Sequence, residues 1–268
     1  MTKIIALGTG SAFTMKNWQS NYIIQRNNKN LLLDAGSDLR WSLKEQGLTF
    51  KDIDACFISH GHSDHCGQLE YLGFTRYFTR RSMIDSGTAN PIELSTLFCD
   101  RHLIKDLWEH TLRGGMEGLE GVDATIDTYF NVVPVDRNSS FEWEGLKFDI
   151  VQALHIAAKY SIVDSFGLMF TDDNGKRIYF TTDVQFYETG MKAYYKESDI
   201  IIHDCETSYK SGVHSHYDDL KTLPAITKKK MFLTHFQDNV IDDWDGWQKK
   251  AADDGFAGFI KPGLIYES

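Results

Sequence analysis

Ala55-Cys56-Phe57-Ile58-Ser59-His60-Gly61-His62-Ser63-Asp64-His65 decides how this chain is read: an apolar run stops, and three imidazoles and a carboxylate follow within six residues. The run reads as a strand, so the histidines sit where a strand gives way to a loop. His60 and His62 lie two positions apart, and a tightly turning backbone brings both side chains to one ion while Asp64 and His65 reach a second. Neutral imidazole and carboxylate are donors for zinc, and also for manganese or iron.

A pair of ions needs more ligands, and rigid ones come from strand ends. An apolar strand followed at once by His or Asp recurs three times: His155 after 148–154, Asp183 after 178–182, and His235 after 231–234. Upstream, 4–7, 22–24 and 31–33 read as strands, and Leu39, Trp41 and Leu43 mark a helix ended by Gly47. Residues 66–130 carry helix signals, with Pro91 at a helix start and Leu94, Leu97, His102, Leu103, Leu107 and Trp108 at helical spacing before Gly114-Gly115. Strand patterns return at 146–154, 166–171, 177–181, 200–202 and 231–233. With no repeat or linker, the expectation is one α/β domain over 1–268, sheets packed between helical layers, with a helical insertion around 72–125.

Composition narrows the partners. Lys and Arg number 28 against 38 Asp and Glu, and the formal charge of −10 leaves no positive field to gather a long nucleic acid. A small anion drawn to cations remains compatible with that balance. Cys56, Cys66, Cys99 and Cys205 are scattered, which argues against a disulfide framework or a thiolate zinc knuckle. No apolar run approaches membrane-spanning length, so a soluble, cytoplasmic protein is expected.

With these residues in place, the chain resembles the metallo-β-lactamase-fold hydrolases, whose five motifs occur in order. They are Asp34 in Leu31-Leu32-Leu33-Asp34-Ala35-Gly36, the stretch 60–65, His155, Asp183 and His235. The resemblance implies a four-layer αββα sandwich in which one ion takes His60, His62 and His155, the other takes Asp64, His65 and His235, and Asp183 bridges. Asp34 is then expected to hydrogen-bond behind the ligands. True β-lactamases of this fold commonly carry Cys where Asp183 stands, which speaks against that activity.

Residues 198–206, followed by Val213-His214-Ser215-His216, resemble the phosphodiesterase branch that includes the tRNA 3′-processing endonucleases. His203 and His214 match motif histidines, whereas Asp204, Cys205, Glu206, Val213 and His216 depart from the endonuclease pattern. Those endonucleases usually insert a basic arm between the third and fourth motifs, but His155 and Asp183 are only 28 positions apart. The segment between them reads as a hairpin turning at Asp172-Asp173-Asn174-Gly175. Length, the missing arm and residues 203–219 resemble the armless cyclic-nucleotide phosphodiesterases, among them the anti-Pycsar enzymes of phages and bacteria.

That resemblance implies hydrolysis of a small cyclic nucleotide such as cyclic CMP or cyclic UMP, in counter-defence against cyclic-nucleotide immune signalling. A tRNA 3′ endonuclease and a glyoxalase-type thioester or ester hydrolase are the alternatives. Two divalent ions are expected, zinc first and manganese second. Asp64 is expected to orient or deprotonate the attacking water, and His214 to protonate the leaving ribose oxygen. His216 reads as a helix-start residue, and the 91–113 stripe as packing or homodimer contact.

Overall fold

The computed structural model describes residues 1–268. The first half supplies β1 (Thr2–Gly8), β2 (Asn21–Arg26), β3 (Lys29–Leu33), β4 (Ala55–Ile58), β5 (Ser95–Asp100), a small ribbon of β6 (Gly118–Leu119) and β7 (Val122–Asp123), and β8 (Phe130–Val135). The second supplies β9 (Ser140–Trp143), β10 (Leu146–Ala157), β11 (Ile162–Thr171), β12 (Arg177–Phe180), β13 (Ile200–Asp204), β14 (Met231–Thr234), β15 (Gly258–Phe259) and β16 (Gly263–Glu267). They form two seven-stranded sheets, ordered β16-β1-β2-β3-β4-β5-β8 and β15-β14-β13-β12-β11-β10-β9. Within them β3, β4, β5 and β8 run parallel, as do β12, β13, β14 and β15.

Strand parity sorts side chains into three cores. Ile4, Leu33 and Phe57 of one sheet meet Phe148, Leu168, Phe180 and Ile202 of the other, which fills the space between the sheets. Outside the first sheet, Leu32, Cys56 and Leu97 pack on Leu39, Leu43, Leu69 and Leu72, from the helices Leu39–Glu45 and Leu69–Asp85. Outside the second, Ile201 and Leu233 pack on Met191, Tyr195 and Ala251, from the helices Glu188–Glu197 and Trp244–Asp253. The layers are therefore α, β, β, α.

The central core has an aromatic spine. Phe141 stacks on Phe98, Phe148 and Phe57 at centroid distances of 4.1, 5.1 and 5.9 Å. Phe141→Ala is expected to destabilise the fold by about 3–5 kcal/mol in chemical denaturation, the usual loss for a large core aromatic. A change below about 1 kcal/mol would contradict this packing account.

One sequence expectation is corrected. The helical stripe begins wrongly, because Ser95–Asp100 is not helix but strand β5, parallel to β4 and β8 in the first sheet. A parallel strand covered on both faces has an almost unbroken apolar run, and Leu97-Phe98-Cys99 borrows the spacing of the helix that follows. Helix does follow, over Arg101–Asp106, a π-helical turn at Leu107–Leu112 and Arg113–Met116, with Trp108 packed against the outer core. Strand β8 went unread because Asn131 and Pro134 interrupt its pattern, and Pro is tolerated there at the sheet edge.

The hairpin between β11 and β12 is as short as expected. Asp172 accepts from the amides of Asn174 and Lys176 at 2.9 and 2.8 Å, and Gly175 takes a φ of 76°.

Candidate metal centre

Strand ends from both sheets converge on one edge of the sandwich. β3 delivers Asp34, β4 delivers Ser59 and His60, β12 delivers Asp183, β13 ends on Asp204 and β14 delivers His235, while His155 lies near the end of β10. The short helix Ser63–Cys66 carries Asp64 and His65, with His62 at its N-cap. Gly36 allows that helix to dock: a Cβ there would lie 2.3 Å from the Asp64 carbonyl oxygen.

Three of these strand exits are left-handed, with φ of 63° at Asp34, 52° at Thr182 and 59° at His235. Such geometry costs roughly 1–3 kcal/mol per non-glycine residue and is least tolerated by a β-branched side chain such as Thr182. It persists where the exit must re-aim a side chain at a site.

Three groups of donors result: two of them share Asp183, and the third joins Asp204, His214 and His235 behind them. In the first, His62 Nδ1 lies 3.0 Å from His60 Nε2 and 3.2 Å from His155 Nε2, with Asp183 Oδ2 at 3.7 and 3.6 Å from those Nε2 atoms. In the second, His65 Nε2 lies 3.1 Å from Asp64 Oδ2 and 3.2 Å from Asp183 Oδ1, while His235 Nε2 lies 3.3 and 3.4 Å from the same oxygens. Donors held about 2.0–2.2 Å from a tetrahedral ion lie about 3.3–3.6 Å from one another, so both sets have the spacing of ligands to a cation.

The proton inventory agrees with that fit. Asp34 Oδ2 accepts from His65 Nδ1 and from the Ser59 hydroxyl, each at 2.8 Å, while Oδ1 accepts from the Ser59 amide at 2.8 Å. The Val213 carbonyl accepts from His155 Nδ1 at 3.1 Å. In the neutral rings each Nε2 is then a lone pair, and His65 Nε2 is buried against two carboxylates without a hydrogen-bond partner. Acceptors facing acceptors in a dry site call for a cation between them. The chain therefore carries a divalent-metal centre.

Charge balance points the same way. Burial works against a charged His65, yet Asp183, Asp64 and Asp34 outweigh it and hold the imidazole well above its ordinary range. His235 is raised likewise, with Asp183, Asp204 and Asp64 overcoming burial. Burial also opposes the Asp183 carboxylate, but His235, His65 and His214 hold it well below the ordinary carboxylate range. His60 is pushed well down by burial reinforced by His65, and burial takes His155 to about 4. Without a cation, the second set takes up protons instead.

Behind the donors lies a residue that the sequence reading counted only as a departure. Asp204 Oδ2 accepts from the Val184 amide at 3.0 Å and from His214 Nδ1 at 2.9 Å, and Oδ1 lies 3.4 Å from His235 Nδ1. It orients His214 through that bond and places a negative charge beside His235. His214 stands beside the Asp183 donor pair, with its Nδ1 3.8 Å from Asp183 Oδ2.

His203, matched to a motif histidine, points elsewhere. It donates to its neighbour's carbonyl at 2.7 Å and accepts from the Tyr195 hydroxyl at 2.7 Å within the outer helical layer. His216 caps the helix Tyr217–Leu220, accepting from the Asp218 amide at 3.2 Å. Glu206 ties down a loop through Ser208 and Gln237. The thiol of Cys66 donates to the Gly61 carbonyl and lies outside both donor sets.

The metallo-β-lactamase-fold protein YhfI from Bacillus subtilis superposes with a TM-score of 0.72 at 18% identity, covering 100% of this chain and 99% of that one. The anti-Pycsar protein Apyc1 of Paenibacillus harenae is 33% identical over 242 residues, 90% of this chain and 91% of the relative. The protein of that name from Bacillus phage vB_BsuM-Goe3 is 26% identical over 250 residues, 89% and 90% of the two chains. The family model described as anti-Pycsar protein Apyc1 matches residues 2–266. By that near-complete match and the level of identity to its members, the chain belongs to the anti-Pycsar Apyc1 family.

Proposed function

We propose that this protein is a metal-dependent phosphodiesterase that opens the ring of a small cyclic nucleotide, cyclic CMP or cyclic UMP, in counter-defence against cyclic-nucleotide immune signalling. The observation that carries the proposal is the place of Asp183 in both donor sets, an arrangement suited to a paired-ion clamp on a phosphodiester. We assign two zinc ions, one to His60, His62, His155 and Asp183, the other to Asp64, His65, His235 and Asp183. Bound there, they supply Lewis acidity toward the phosphoryl oxygens and lower the pKa of water.

The protein's own groups do the rest. Asp34 and the Val213 carbonyl hold the Nδ1 protons of His65 and His155, which fixes the ring orientation. Both close partners of Asp64 fall on Oδ2, leaving Oδ1 to accept from the attacking water. Asp204 occupies His214 Nδ1, leaving Nε2 to donate a proton to the departing ribose oxygen. Burial works against a charged His214, but Asp204, to which Nδ1 is hydrogen-bonded, and Asp183 raise it above the ordinary imidazole value.

The tight turn at 172–176 supports a small substrate, because no arm projects there to grip a folded RNA. In the same reading residues 1–268 form one domain, supported by β16 returning to pair with β1. The compartment is the cytoplasm, in keeping with four unpaired cysteines. The assembly is a homodimer, exposed Phe78 and Ile84 on the helix Leu69–Asp85 being apolar surface for a second copy.

The test incubates metal-loaded wild type and His214→Ala with 3′,5′-cyclic CMP, 3′,5′-cyclic UMP, bis-p-nitrophenyl phosphate, precursor tRNA and a glutathione thioester. Cyclic nucleotides are expected to be opened. In His214→Ala, kcat should fall about 10²–10⁴-fold with bound metal retained, the usual contribution of a positioned acid. Thioester or tRNA turnover with inert cyclic nucleotides would overturn the proposal.

A further inference from the structure

Ligands of parallel sheets bind outside the carboxyl ends of the strands. Along the first sheet those ends are, in order, Asp34 after β3, His60 after β4, Asp100 at the end of β5 and Arg137 after β8. The first two belong to the metal centre; the last two have no part in it. Between them, the helical stretch after β5 and the start of β11, a cleft of about 380 Å³ opens directly from His62.

Asp100 is the unusual group in this cleft. Only 1% exposed, it uses Oδ1 to cap the following helix, accepting from the amides of His102 and Leu103 at 3.0 and 3.3 Å. Oδ2 has no hydrogen-bond partner, and the nearest cation, Arg137 Nε, is 3.7 Å away, beyond hydrogen-bond reach. A buried carboxylate oxygen without a donor is costly and calls for an explanation. Arg137 is poised beside it, anchored to Asp164 at 2.9 Å with its guanidinium 5.6 Å from the Phe166 ring centre. Leu103 and Ile162 add apolar surface.

We propose that this cleft is the nucleoside subsite of the enzyme, in which Asp100 Oδ2 accepts an N–H of the base and Arg137 donates to the neighbouring ring nitrogen or carbonyl. The proposal rests on the cyclic-nucleotide reading above. An acceptor beside a donor matches the base edge, where cytosine sets its amino group next to N3 and uracil sets N3–H next to a carbonyl. Three carboxylates, Asp100, Asp106 and Asp164, line this end against the single guanidinium of Arg137, which is paired to Asp164, and that balance disfavours a phosphate there more than a neutral base. The cleft therefore orders the substrate, base toward β5 and β8, phosphate toward His62 and the donor sets.

Asp100→Asn tests this without removing the helix cap, because the amide oxygen still accepts from His102 and Leu103 while the nitrogen replaces the orphan acceptor with a donor. The readouts are kcat/KM for 3′,5′-cyclic CMP, kcat/KM for bis-p-nitrophenyl phosphate, which has no base, and inhibition of the latter reaction by cytidine and 2′-deoxycytidine. The ratio of the two kcat/KM values is expected to fall by about tenfold or more, mostly through KM, with the inhibition constants of both nucleosides rising in parallel. An equal loss on both substrates, or unchanged nucleoside inhibition, overturns the subsite and leaves the proposed function standing. Wild-type protein that cleaves bis-p-nitrophenyl phosphate but no cyclic nucleotide overturns both.

Discussion

Asp183→Asn is expected to lower cyclic-nucleotide turnover by more than about 10³-fold, beyond the roughly 10²–10³-fold cost of losing one transition-state donor. The reason is its double membership: Oδ1 faces His65 and His235, and Oδ2 faces His60 and His155. The asparagine keeps the volume but loses the shared negative charge, so both donor sets weaken together. His62→Ala, by contrast, removes a ligand from one set alone. Bound metal per chain, measured by inductively coupled plasma mass spectrometry, should therefore fall at both positions in the first variant and mainly at one in the second. Full occupancy in Asp183→Asn, with turnover within tenfold of wild type, would sink the bridging role.

Chelation should have the second large effect. Removing the cations with EDTA is expected to abolish turnover and to lower Tm by roughly 8–16 °C, with recovery on adding zinc or manganese. A ligand present at 1,000 times its Kd stabilises the folded state by about 4 kcal/mol, and each kcal/mol moves Tm by about 2–4 °C in a chain near this size. The buried His65 Nε2, facing Asp64 and Asp183, shows where that stabilisation comes from, since groups that must take up protons in the stripped protein become ligands in the loaded one. Differential scanning fluorimetry of stripped and reloaded protein measures the shift. An unchanged Tm and intact activity after chelation would refute the metal dependence.

The donor positions were legible because the fold places them by a rule that sequence also displays, an apolar strand ending in His or Asp. His155, Asp183 and His235 follow that rule, and the structure gathers them around 60–65. Strand β5 was less legible, since a strand covered on both faces and the first turn of the next helix carry the same apolar signal. Asp204 was available to a stricter use of strand parity. Ile200 and Ile202 face the space between the sheets and Ile201 faces the helices, so His203 must turn outward and Asp204 toward the site. Asp100 had no such signal, because its isolation is a property of neighbours that meet it only in three dimensions.

The distribution of donors over the two sheets bears on how activity first arises during synthesis. His60, His62, Asp64 and His65 are made early, but His155, Asp183 and His235 come from the second sheet, and β14 precedes the last of them near the far end of the chain. A ribosome-bound first half thus displays a half-built ion trap with nothing to close it. The donor groups are complete only once the two sheets meet, and a cation held there ties together segments translated far apart.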